Sequence, residues 1–144
     1  MNRYVELLRE ARETYRAEAE ALAKNKHVFD GIFGTGSSVK NNACHDRFDA
    51  RIEEILRQMT EEGAAAREIG EAVAFVLDGE AKNEAMSSVD IYLIAVQRHC
   101  LPLIALMPRE SAAGLLERYV RAWPRHTRLP VQAEIVKRLK SRAK

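Results

Sequence analysis

The chain predicts an all-α fold, a single-domain bundle of five to six helices around one central apolar helix kinked at a proline. Three observations carry this. Segment 89–107, VDIYLIAVQRHCLPLIALM, is apolar at fourteen of its nineteen positions. A helix that is apolar almost all round has to be covered by other elements. Apolar residues recur at spacings of three and four through most of the remaining chain. The composition is rich in alanine, leucine, glutamate and arginine, with only 7 Gly and 4 Pro in 144 residues, which favours helix over sheet.

Taken in order, Tyr4, Leu8, Ala11, Tyr15, Ala19 and Leu22 form one narrow stripe on a first helix over 3–24. Its length and narrow stripe also suit a homodimer surface. Segment 27–42 lacks a sustained helical period and carries Gly31, Gly34 and Gly36, so it is expected to be a long loop. Phe48, Ile52, Ile55, Leu56 and Met59 fill one arc of a second helix over 43–59, with Asn41 or Asn42 as N-cap and a turn over 60–63. Ala66, Ile69, Val73, Val76 and Leu77 define a third helix, stopped by Asp78-Gly79. Ser87 or Ser88 is placed to cap the central helix. On that helix an α-helical period puts His99 toward the interior and Gln97 with Asp90 on a thin outer polar stripe. Pro102 removes a hydrogen bond and crowds the preceding turn, hence the expected kink. A fifth helix after Pro108 buries Leu115, Leu116, Tyr119 and Trp123 and ends at Pro124. Pro130 opens a last helix whose apolar arc is Val131, Ile135, Val136 and Leu139.

A chain of this length buries roughly two thirds of its unfolded surface, so one domain over 1–144 needs no disulfide or metal to stay folded. Charges near the start, MNRYVELLRE, replace the apolar run of a signal peptide. Two cysteines are too few for a disulfide framework. A cytoplasmic location is expected. Asp90, Arg98, His99 and Pro102 interrupt segment 89–107, so no membrane span is expected. Charge is unevenly spread. Residues 118–144 carry 9 basic and 1 acidic side chains, net +8, against net −6 for residues 1–117. Such a basic end marks either an anionic partner or a helix that binds its own acidic body.

Four constellations are candidate sites. The stretch GTGSSVKNN before the second helix offers Gly34, Gly36, Ser37, Ser38, Lys40 and Asn41 beside a helix start, chemistry that suits a small anionic ligand. Its spacing is not that of a nucleotide-binding P-loop. Cys44 and His45, in the first turn of that helix, and His99 on the central helix are further ligand-binding candidates. Cys44-His45-Asp46 reads like a triad in a row, but successive helical residues point 100° apart, so the enzyme reading rests only on a reactive Cys44 with His45 near. Zinc held by Cys44, His45, His99 and Cys100 is disfavoured, since zinc-binding helices space ligands at i and i+3 or i+4. No metal and no cofactor is expected from these motifs. Lastly, Arg125, Arg128, Gln132, Lys137 and Arg138 lie on two helices that a helix-turn-helix would use against nucleic acid, although the link is long and lacks glycine. The leading expectation is a non-catalytic helical protein that binds a partner or small ligand around 34–45. A nucleic-acid-binding regulator comes second, and a small enzyme third.

Overall fold

The computed structural model describes residues 2–33, 36–78 and 94–144, with side chains over 2–21, 43–78 and 94–144. The architecture is all-α, and no strand occurs among the described residues. Among the described residues six helices follow one another: α1 (Arg3–Phe33), α2 (Gly36–Glu61), α3 (Ala66–Leu77), α4 (Val96–Leu106), α5 (Arg109–Ala122) and α6 (Pro130–Ala143). A short turn, Arg125–Thr127, links the last two.

The start of α1 is fixed by Asn2. Its side-chain oxygen accepts from the backbone N–H groups of Tyr4 (3.0 Å) and Val5 (3.4 Å), and its amide donates to the Glu68 carbonyl on α3 at 3.0 Å. Cap and tertiary contact are thus made by one side chain. Tyr4, Leu8, Ala11, Tyr15 and Ala19 are all buried, as the stripe predicts, while the Leu22 side chain lies outside the described residues. Arg3 and Tyr4 engage Glu62, and Glu18 engages Arg47, so α1 and α2 run antiparallel.

The expected long loop is not found. The backbone is helical to Phe33 and again from Gly36. The reason is legible in hindsight: Phe29, Ile32 and Phe33 are themselves spaced i, i+3, i+4, and a glycine inside a helix costs only about 1 kcal/mol. Helix α2 buries Cys44, Phe48, Ile52, Ile55, Leu56 and Met59. It ends at Gly63, whose φ of 68° is left-handed. The Gly63 and Ala64 N–H groups return to the Thr60 and Met59 carbonyls, both at 3.1 Å, which satisfies the last turn in a Schellman motif.

Helix α3 buries Ile69, Val73, Val76 and Leu77, whereas Ala66, expected inside, is exposed. The expected Gly79 stop, the Ser87 or Ser88 cap and the first residues of the central helix lie outside the described residues. What is described of that helix differs in winding. In place of an α-helix kinked at Pro102, α4 is an eleven-residue 3₁₀ helix running through Pro102. Three residues per turn align Gln97, Cys100 and Leu103, and all three are buried, together with Val96, Ile104 and Met107. Gln97 therefore sits inside, contrary to the outer stripe that a 3.6 period implies. Helix α4 is nonetheless central, covered by α2, α3 and α6.

Inside, Gln97 finds partners. Its Oε1 accepts from Tyr119 Oη on α5 at 2.7 Å and from Gln132 Nε2 on α6 at 3.4 Å. Gln132 Oε1 in turn accepts from the Leu129 N–H at 3.2 Å, so it caps α6 from the core side. Ala112, Leu115 and Tyr119 on α5 and Ile135, Val136 and Leu139 on α6 close the core, with Leu116, Trp123 and Val131 packed against it.

This buried polar link generates a test. Tyr119→Phe keeps the shape of the core but leaves Gln97 Oε1 with its one long contact. An acceptor stripped of its short bond inside a core costs about 1–2 kcal/mol. Urea unfolding is expected to show that loss of stability with an unchanged m-value.

Candidate functional site

Two sites flank α2, one on each side. On the first side, α1 and α2 enclose a groove of about 360 Å³, open along one edge. Leu7, Ala11 and Tyr15 of α1 and Phe48 of α2 form its floor. The Tyr15 and Phe48 rings stack, 4.4 Å apart and 9° from parallel. Glu10, Thr14 and Glu18 make one rim and Arg47 and Arg51 the other, with Cys44 buried in the wall. Arg47 and Arg51 are one turn apart, which places both guanidinium groups along the same edge. Arg47 pairs with Glu18 across the groove, and Arg51 with Glu54 at 3.1 Å on its own helix.

Cys44 is buried, with its sulfur 4.0 Å from the Tyr15 carbonyl. Burial, aided by the Glu18 carboxylate, pushes its thiol up to about 11. Burial also holds the His45 ring below its ordinary value, and that ring meets Tyr15 edge-on at 5.5 Å. A protonated thiol beside a neutral imidazole at pH 7 is not an activated nucleophile. Cys100 is fully buried, and burial pushes its thiol up to about 12.

On the second side, α4 brings Arg98 and His99 onto Asp49. Arg98 reaches Asp49 Oδ2 at 2.8 Å, and His99 Nε2 lies 3.1 Å from Asp49 Oδ1. Burial raises the Asp49 carboxyl, but the Arg98 guanidinium and His99 together outweigh it and hold the group below the usual carboxylate value.

The sequence-derived candidates therefore fall in separate places. Cys44 lines the groove and His45 flanks its Tyr15, while His99 belongs to the junction with α4. Gly34 lies outside the described residues. Gly36, Ser37, Ser38, Lys40 and Asn41 lie in the first turns of α2 rather than in a loop, and their side chains are outside the description. At the basic end, Gln132 is buried and cannot read a nucleic-acid groove, because its amide serves the α6 cap and Gln97. Arg128 donates to the Trp123 carbonyl at 2.8 Å. Arg138 donates to Glu134 and to the Leu101 carbonyl, at 3.0 and 2.9 Å. Arg125 and Lys137 are exposed.

Sequence reasoning missed Tyr15, Glu18, Arg47 and Arg51 as groove residues and Asp49 as the partner of His99. The signal present was the i, i+4 pair Arg47/Arg51 bordering the apolar arc of α2. Compared with protein-family models, with curated proteins and with solved structures, the chain matches none. No described helix is long and apolar enough to cross a membrane.

The raised thiols give a direct expectation. A thiol with its pKa near 11 has its reactive thiolate fraction cut at neutral pH. Both cysteines of the native protein should label at least about 100-fold more slowly than an unhindered thiol at pH 7. A disulfide reagent followed by absorbance measures this. Fast labelling of Cys44 alone would revive the nucleophile.

Proposed function

We propose that this protein is a non-catalytic, cytoplasmic binding module, and that the groove between α1 and α2 is the seat of a small ligand. The observation that carries the reading is the groove itself: a concave, aromatic-floored space with a few polar groups at its rim. Ligand sites generally have this character and start at about 300 Å³. The floor suits an apolar or aromatic body. Arg47 and Arg51 on the α2 rim suit one anionic group. Glu10 and Glu18 opposite them repel a second negative charge, so a monoanion fits better than a polyphosphate. Two buried free cysteines accord with a reducing compartment.

Nucleic acid is a weaker fit. A recognition helix would have to turn Gln132 toward the bases, and Gln132 is buried and committed to Gln97 and to the Leu129 N–H.

Anilinonaphthalene sulfonate, an aromatic monoanion, tests the groove. Saturable fluorescence enhancement is expected, with a dissociation constant in the range of about 10–100 µM. Thr14→Trp, which plugs the groove from its exposed rim, should weaken binding at least about tenfold, worth about 1.4 kcal/mol. Arg51→Gln should weaken the sulfonate but leave a neutral naphthalene analogue unaffected. Sulfonate binding that Thr14→Trp leaves unchanged would place the ligand elsewhere.

A further inference from the structure

The opposite side of α2 carries a second arrangement. Asp49 and Glu53 are four residues apart, so their carboxylates stand one above the other on a single face. His99 of α4 comes against that face. One ligand atom from each of the three lies within 4.8 Å of the others. His99 is largely covered, at 13% side-chain exposure, and Asp49 is at 29%, while Glu53 is at the solvent edge.

We propose that Asp49, Glu53 and His99 form a three-ligand site for a divalent transition-metal ion of the zinc class, with solvent as the fourth ligand. This site is separate from the groove and does not depend on it. Four points support it. The donor set of one imidazole nitrogen and two carboxylate oxygens is ordinary zinc chemistry. Two ligand atoms, each about 2.0–2.1 Å from zinc at the tetrahedral angle, lie about 3.3 Å apart. His99 Nε2 and Asp49 Oδ1 stand at 3.1 Å, so an ion enters between them with little rearrangement.

The third point is orientation. Arg98 holds Asp49 Oδ2 at 2.8 Å, which fixes the carboxylate and leaves Oδ1 aimed at His99. A ligating carboxylate is commonly steadied in this way by a hydrogen bond on its other oxygen. The fourth point is availability. Glu53 forms no ion pair with any described residue, its side chain is exposed, and its carboxylate already stands within 4.8 Å of the other two ligand atoms.

The same geometry limits the affinity. Arg98 cancels one of the two carboxylate charges, so the site carries a net charge of −1 when His99 is neutral. It is then weaker than a four-ligand thiolate site, in the micromolar range rather than below it. Four-coordinate structural sites surround the metal with protein ligands, whereas three ligands and an open position leave a metal that exchanges or meets a further ligand.

Zinc titration of the untagged full chain by isothermal calorimetry is the test. One zinc ion per chain is expected, with a dissociation constant of about 1–50 µM. His99→Gln and Glu53→Gln are each expected to weaken it at least about tenfold. Glu53 is exposed, so its variant is expected to keep the fold, and circular dichroism checks that for both proteins. Cobalt in place of zinc should give the visible absorption of a tetrahedral site in the wild-type chain only. No binding at about 100 µM zinc overturns the proposal. So does binding that survives in both variants, because the metal then sits on other residues.

Discussion

The constraint on which the rest of the structure depends is the burial of α4. Its apolar side chains stabilise the core, with roughly 1.5–3 kcal/mol for each fully covered aliphatic residue such as Ile104. Its backbone is the difficulty. A proline in the middle of the segment supplies no N–H, and the carbonyls past its last turn have no intrahelical donor. The last helix brings donors onto this segment. Arg138 donates to the Leu101 carbonyl, and Arg142 donates to the Met107 carbonyl at 2.7 Å. The charge asymmetry of the chain is thereby explained in part from within. Five of the nine cations in residues 118–144 are engaged by carbonyls or by Asp78, Glu117 and Glu134, while Arg125, Lys137, Lys140 and Lys144 are exposed.

The winding of α4 sets where polar residues go. A period of 3.6 would spread Gln97, Cys100 and Leu103 around the helix, whereas a period of 3.0 stacks them. Gln97 is carried into the core by that difference of 0.6 residue per turn. It is tolerated there because Tyr119 and Gln132 arrive from two other helices to meet its oxygen. One change of helix type thus links α4, α5 and α6 through a single buried acceptor.

Much of the fold was legible in the chain because burial leaves a period. The arcs of α2, α3, α5 and α6 could be read from the sequence, Ala66 of α3 excepted, and Phe48, Ile52, Ile55, Leu56 and Met59 are buried as a set. What was not legible has two causes. Local punctuation was overweighted at Gly31 and Gly36, where the backbone is helical although a glycine inside a helix costs about 1 kcal/mol. Tertiary geometry was invisible at Gln97 and Gln132, whose burial is decided by partners 22 to 35 residues distant. The site was less legible than the fold for the same reason. Cys44, His45 and His99 were visible as chemistry, but their neighbours Tyr15, Glu18 and Asp49 are brought in by packing.

Helix α2 is what separates those chemistries. Cys44, Arg47, Phe48 and Arg51 lie along the side that meets α1, while Asp49 and Glu53 lie along the side reached by α4. A helix has no way to turn both sets toward one cavity. The adjacent Cys44, His45 and Asp46 therefore cannot act as a unit: the thiol is buried and protonated, the imidazole is packed on Tyr15, and Asp46 faces solvent. The histidine that does meet a carboxylate, His99, is 55 positions from that thiol in the sequence and lies across α2 from it. A nucleophile and its base have to share one reacting atom within hydrogen-bond reach. With the thiol on one side of the helix and the imidazole–carboxylate pair on the other, α2 keeps Cys44 and the His99–Asp49 pair from meeting at one reacting atom.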